Sequence, residues 1–263
     1  MDSSLKDIDA VFLDLDGTIY LGGDLIEGAL DFLDRCDAKG VRRYFLSNNS
    51  SRSVAQYVSK LQGFGIPATT EEVLLSTHDL IVWLNESKIS RIFLVGTVGM
   101  SEMLQDAGFM MDEDDPEIVV LGYDTEISYD KISRASILLH RGVPMVASHP
   151  DMVCPSPDGG LPDTGAYMAM FEATTGVRPV HICGKPQPGM ILHKIEALGL
   201  DPSRCAMVGD RLYTDIAMAT RAGVEGILVL SGEATMEDVE ALLYSSSEQQ
   251  PSLIVQSVDE LLR

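Results

Sequence analysis

Four short polar clusters in this sequence carry the residue types of phosphoryl chemistry: Asp14-Leu15-Asp16-Gly17-Thr18, Ser47-Asn48-Asn49-Ser50, Gly184-Lys185-Pro186, and Gly209-Asp210-Arg211 running on to Asp215. Moving a phosphoryl group with its magnesium ion requires a nucleophile and a proton donor for the leaving oxygen. It also requires hard oxygen ligands for the metal and donors for the equatorial oxygens. The clusters supply each of these. Asp14, Asp16, Asp210 and Asp215 bring carboxylates against the single ammonium of Lys185, and a divalent cation still leaves the set negative. Such a set cannot accept a phosphate dianion without the cation. Taken singly, an Asp-x-Asp is a solvated turn, Lys185 a loop lysine and Asp215 a helix cap. Their joint spacing is what marks them.

Each cluster follows an apolar run of the kind a buried parallel strand requires. The runs are Ala10 to Leu13, Arg43 to Leu46, Val180 to Cys183 and Cys205 to Val208. Ligands of open α/β sheets bind at the carboxyl edge of the strands. Helical spacing predicts helices from Glu27 to Ala38, closed by Gly40, and through Val54, Tyr57, Val58 and Leu61, with Gly63 and Gly65 as the stop. The alternation restarts with a helix from about His78, a strand at Arg91 to Val95, and a second βα series to about Val180. A helix through Ile191, Leu192, Ile195 and Leu198 follows, and Asp215 opens another that Gly223 ends. Gly226 to Leu230 and a short Leu253 to Val255 complete the strands. The expected fold class is α/β, a Rossmann-like doubly wound parallel-sheet core over residues 1–78 and 183–263, with an inserted α/β cap domain at 79–182. The turn-rich stretch from His149 to Thr164 reads as a long loop.

The wording and order of the clusters resemble the haloacid dehalogenase superfamily, whose phosphatases carry DxDGT, a Ser or Thr followed by Asn, a Lys, and GDxxxxD. The likeness spans almost the whole chain. With the insert between the Ser47 cluster and Lys185, the sequence is similar to the NagD-like, para-nitrophenyl phosphatase type with a class IIA cap. The resemblance implies a magnesium-dependent phosphatase acting on small-molecule phosphomonoesters through an aspartyl-phosphate. Asp14 would be the nucleophile, and Asp16 would protonate the leaving oxygen and then activate water. Asp14 and Asp210 would bind the metal with the backbone carbonyl of Asp16, and Asp215 would hold a metal-bound water or orient Lys185. Ser47, the amide after it, and Lys185 would bind phosphoryl oxygens, with Asn48 and Asn49 of the same cluster as further substrate-binding residues. The cap would exclude water and read the leaving group, with Asp163, Thr164 and His149 as substrate-contact candidates. Ser47 stands where many relatives have Thr, and it keeps the hydroxyl.

Composition bounds the alternatives. A chain of 263 residues with 45% hydrophobic content can bury a core, and a net charge of -21 repels nucleic acid and anionic membranes. Cys36, Cys154, Cys183 and Cys205 are scattered, and they read as reduced thiols of a cytoplasmic protein. The N-terminus lacks a leader pattern and no run suits a membrane span. Gly96-Thr97-Val98-Gly99 reads as a βα turn rather than a phosphate loop, Asp112 to Asp115 as a solvated loop, and Met168 and Met170 near Phe171 as cap-helix core. The histidines lack zinc spacing. Two other readings remain open: a phosphoryl-transfer mutase, and a non-catalytic binding protein on the same fold. So do the substrate, among sugar phosphates, nucleotides, phosphoglycolate and pyridoxal phosphate, and a homodimer through the cap.

Overall fold

A computed structural model of the chain describes residues 5, 7–156, 158–242 and 247–263. The N-terminal residues 1–4 and Lys6, examined above for a leader, and Pro157 of the long loop lie outside the described residues.

The strands of the two larger sheets are β1 (Ala10–Asp14), β2 (Arg42–Ser47), β3 (Val73–Leu75), β4 (Arg91–Val95), β5 (Met110–Met111), β6 (Ile118–Leu121), β7 (Met145–Ala147), β8 (His181–Ile182), β9 (Cys205–Gly209), β10 (Glu225–Val229) and β11 (Leu253–Val255). The helices are α1 (Ala29–Lys39), α2 (Val54–Gly63), α3 (Ser76–Glu86), α4 (Val98–Asp106), α5 (Tyr129–His140), α6 (Thr164–Thr175), α7 (Gly189–Leu198), α8 (Ala217–Ala222) and α9 (Met236–Leu242). The chain divides into two compact units, one of Met1–Ser47, Val58–Leu74 and Lys185–Arg263, the other of Asn48–Tyr57 and Leu75–Gly184.

In the first unit the sheet order is β11-β10-β9-β1-β2-β3, all strands parallel where their pairing is described. The sheet grows outward in both directions from the β1/β9 pair, so the topological switch falls there. Register does the positioning. Leu13 lies opposite Val208 and Asp14 opposite Leu46, which brings Asp14, Ser47 and the residues after Gly209 to one edge. All five residues of β1 are buried, and Phe12, Leu46, Met207, Ile191 and Met218 share one core cluster. An apolar run covered on both faces loses several kcal/mol per large side chain truncated, which makes the edge a rigid mount.

The second unit has the parallel order β8-β7-β6-β4-β5. On one face Ile92, Val120 and Val146 pack with Leu80, Leu84, Met100 and Leu104 of α3 and α4. Val95, Leu121 and Met145 pack on the other with Ala135, Leu138 and Phe171 of α5 and α6, where Met168 and Met170 lie half-buried as expected.

Several sequence boundaries shift for local reasons. Helix α1 starts at Ala29 rather than Glu27 because Gly28, in the left-handed region at φ 78, turns the chain just before it. Helix α3 starts at Ser76, not His78, since the His78 ring takes the N–H of Leu75 and caps the turn. The 149–164 stretch is not wholly irregular: Val153–Cys154 pairs antiparallel with Leu161–Pro162. The strand before Lys185 belongs to the second unit's sheet, pairing with β7, and not to the sheet that carries Asp14. Thr97 caps α4 through the N–H of Met100, so Gly96-Thr97 is the expected βα turn and Val98-Gly99 already open the helix.

Candidate active site

Asp14 ends β1 with its side chain almost covered, and Lys185 donates to its Oδ1. Lys185 also donates to Oδ1 of Asp215 at 2.7 Å, and Asp215 is fully buried. The other oxygen of Asp215 takes the backbone N–H of Arg211 at 3.0 Å, where a wide helical turn, Leu212–Ile216, leads into α8. The turn places Asp215 under Gly209, where a side chain at position 209 would overlap its carboxylate. Asp210 completes the group: carboxylate oxygens of Asp14, Asp210 and Asp215 lie within 4.8 Å of one another.

Burial pushes the Asp14 carboxyl up from its ordinary range; Lys185 pulls it back, and Asp215 and Asp210 raise it further. Asp210 is likewise raised by burial, then by Asp215. Burial alone would lower Lys185, yet the Asp14 and Asp215 carboxylates outweigh it and hold the ammonium above its usual range. Three buried acids facing one buried cation carry an excess of negative charge that costs free energy unless a further cation enters.

Asp16 is placed differently. It is exposed, bridged to Tyr20 in a turn where Leu15 O receives the N–H groups of Thr18, Ile19 and Tyr20. Partial desolvation raises its carboxyl, while Lys60, Arg211 and the Gly22 N–H draw it down. Lys60 itself lies 3.8 Å over the Tyr20 ring, and Tyr20 stacks on Phe64. Ser47 sits half-buried at the end of β2.

The structure thus brings Asp14, Lys185, Asp210 and Asp215 together, with Lys185 hydrogen-bonded to Asp14 and Asp215 and the Asp210 carboxylate beside them. Asp16 and Ser47 belong to the same unit, whereas Asn48, Asn49, Asp163 and Thr164 belong to the second. There the Asn48 side-chain amide donates to both oxygens of Asp151 at 3.2 Å, and the Asn48 backbone carbonyl accepts from Ser76 Oγ at 2.6 Å. Asn49 accepts from Ser51 in a tight turn. Asp163 and Thr164, predicted as substrate contacts, are buried at the start of α6: Asp163 accepts from the Thr164 N–H, and Thr164 Oγ1 meets His149 Nε2 at 3.1 Å.

Asp210 shows whether a metal suits the site. Its Oδ2 takes the Glu233 N–H at 2.7 Å, while its Oδ1 is buried without a hydrogen-bond partner. A buried carboxylate oxygen left unpaired beside two other carboxylates fits a hard divalent cation. Asp14, Asp210 and Asp215 are the residues to hold one.

Sequence reasoning missed Ser231, Gly232 and Glu233. They follow β10 at the same edge, and the rule that singled out the four clusters applies equally to them. Ser231 Oγ donates to Gly17 O at 2.7 Å, and Glu233 joins Arg211 Nε and the Tyr213 hydroxyl at 2.8 Å each.

Fold, edge position and carboxylate set together describe a hydrolase of the haloacid dehalogenase kind. Family models described as haloacid dehalogenase-like hydrolase and HAD-hydrolase-like match residues 11–110 and 182–261. An acid sugar phosphatase of Staphylococcus aureus is 35% identical over 238 residues, covering 90% of this chain and 92% of the relative. Among solved structures, a 4-nitrophenylphosphatase from Thermotoga maritima superposes with a TM-score of 0.92 at 39% identity, covering 98% of this chain and 97% of that one. A glycerol phosphate phosphatase from Mycobacterium tuberculosis, solved in complex with magnesium, gives 0.90 at 28% identity over 98% of this chain and 77% of its own. The chain belongs to the haloacid dehalogenase-like hydrolases, in their NagD-like branch, and is an enzyme of the phosphatase kind. Among the described residues no helix is long and apolar enough to cross a membrane.

Proposed function

We propose that this phosphatase hydrolyses small-molecule phosphomonoesters, sugar phosphates among them, with magnesium bound and Asp14 as nucleophile. The observation that carries the reading is the buried Asp14–Lys185–Asp215 bridge beside the unpaired Oδ1 of Asp210. A bound magnesium ion would supply positive charge against the phosphoryl oxygens and the three carboxylates. Lys185 orients Asp14 and offsets part of the rise that burial imposes on its carboxyl, and its ammonium serves a phosphoryl oxygen, with Ser47 and the amide after it as further donors.

An oxygen of Asp14 attacks phosphorus, and the bond from phosphorus to the ester oxygen breaks as Asp16 gives that oxygen its proton. The carboxylate so formed on Asp16 then takes a proton from water, whose oxygen attacks the aspartyl-phosphate. The bond from phosphorus to Asp14 breaks, releasing inorganic phosphate and restoring both aspartates. Exposure of Asp16, against the burial of Asp14, suits a group that must exchange protons with substrate and solvent.

The second unit we assign to choosing the leaving group. Asn48, Asn49, Asp163 and Thr164 act there by fixing the backbone around residues 48–51 and 149–164. A cytoplasmic setting and a homodimer through this unit belong to the same proposal. Phosphate release from a panel of sugar phosphates, nucleotides, phosphoglycolate and pyridoxal phosphate, scored as kcat/KM, tests it. No magnesium-dependent release from any member or from para-nitrophenyl phosphate would refute it.

A further inference from the structure

The geometry points to Ser231, Gly232 and Glu233 as a positioning loop that fixes how Asp210 presents its carboxylate to a divalent cation. The inference rests on the metal-dependent reading above and extends it to residues outside the four polar clusters. Asp210 leaves β9 with both its backbone and its side chain held by this loop. Its carbonyl accepts the Ala234 N–H at 3.1 Å, and its Oδ2 accepts the Glu233 N–H at 2.7 Å. That leaves Oδ1 buried and unpaired. A free carboxylate swings between presenting one oxygen and presenting two; here one oxygen is occupied by a backbone donor and the other is held in reserve.

Space enforces the same choice. A methyl group built on Gly232 would overlap Asp210 Oδ2, and one built on Gly17 would overlap the same oxygen. Gly17, at φ 92, also needs the left-handed region that glycine adopts freely. Gly232 carries no such backbone demand, so close approach to the carboxylate is what requires glycine there. The two glycines crowd one oxygen, and Ser231 Oγ ties them by donating to Gly17 O at 2.7 Å. The loop therefore links the turn that carries Asp16 with the carboxylate of Asp210. Its residues touch neither phosphorus nor the leaving group in the proposed reaction; they act through Asp210.

Calorimetric titration of magnesium into the purified, metal-stripped protein tests this without turnover. Gly232→Ala is expected to weaken magnesium binding about 10-fold or more, the range found when residues behind a metal ligand are altered. Ser231→Ala should weaken it several-fold, and Ser231→Thr, which keeps the hydroxyl, should restore it. With para-nitrophenyl phosphate, turnover lost in Gly232→Ala and Ser231→Ala should return as magnesium is raised. Wild-type affinity in a folded Gly232→Ala, or in Ser231→Ala should Gly232→Ala fail to fold, would overturn the inference while leaving the metal-dependent reading standing. Ser231→Ala and Ser231→Thr binding equally weakly would also overturn it. Absence of magnesium binding by the wild-type protein would remove both.

Discussion

Asp14 and Asp16, two residues apart, receive opposite environments from one turn. Asp14 is shut in with Lys185, whereas Asp16 stands exposed, with Lys60, Arg211 and the Gly22 N–H opposing its partial desolvation. This division makes two substitutions informative. Asp14→Asn keeps the volume and loses the proposed anionic nucleophile, so phosphate release from para-nitrophenyl phosphate is expected to vanish while the thermal melt stays cooperative. Asp16→Asn removes the proposed proton donor. Nitrophenolate leaves without protonation, but a sugar alkoxide does not, so kcat/KM should fall about 10²–10⁴-fold for a sugar phosphate and much less for the aryl ester. Equal losses on both substrates would take the leaving-group proton away from Asp16.

At the scale of elements, the first and last crossings of the chain between its two units, Ser47/Asn48 and Gly184/Lys185, fall immediately beside residues assigned to the phosphoryl group. Within the second unit the two crossings are drawn together by α3. Ser76 Oγ donates to Asn48 O at 2.6 Å, and Asp79 Oδ2 accepts the Gly184 N–H at 2.9 Å. Asp79 is buried, so Asp79→Ala leaves that N–H without its acceptor at a cost of about 1–3 kcal/mol, whereas Asp79→Asn retains an acceptor oxygen. A lowered Tm for the alanine variant with recovery in the asparagine variant is expected, read by thermal denaturation. Helix α3 was legible from its spacing and its link to Gly184 was not, because hydrogen bonds 105 residues apart leave no periodic trace.

For the molecule as a whole, the cluster of Asp14, Asp210 and Asp215 is a cost that the proposed metal would reverse. In the metal-free protein the carboxyls of Asp14 and Asp210 titrate above their unfolded values because folding buries them. Their contribution to stability is therefore full below the ordinary carboxylate range of about 4 and is lost as pH rises through the folded values. Magnesium bound as proposed would favour the ionised forms, so its stabilising effect is expected to grow over the same interval. The gap in Tm between magnesium-loaded and metal-stripped protein should widen from about pH 5 to about pH 8. A gap that stayed constant or narrowed would contradict the placement of the metal among these carboxylates. The sequence alone determined the chemistry-bearing types and the strands that mount Asp14, Ser47 and Asp210, because buried runs and turn residues are written locally. Only the tertiary structure decided that the strand before Lys185 belongs to the other sheet, that Asp163 and Thr164 are engaged by His149, and that Ser231 to Glu233 grip Asp210. Each depends on which distant backbone groups meet, and the same local pattern permits several such meetings.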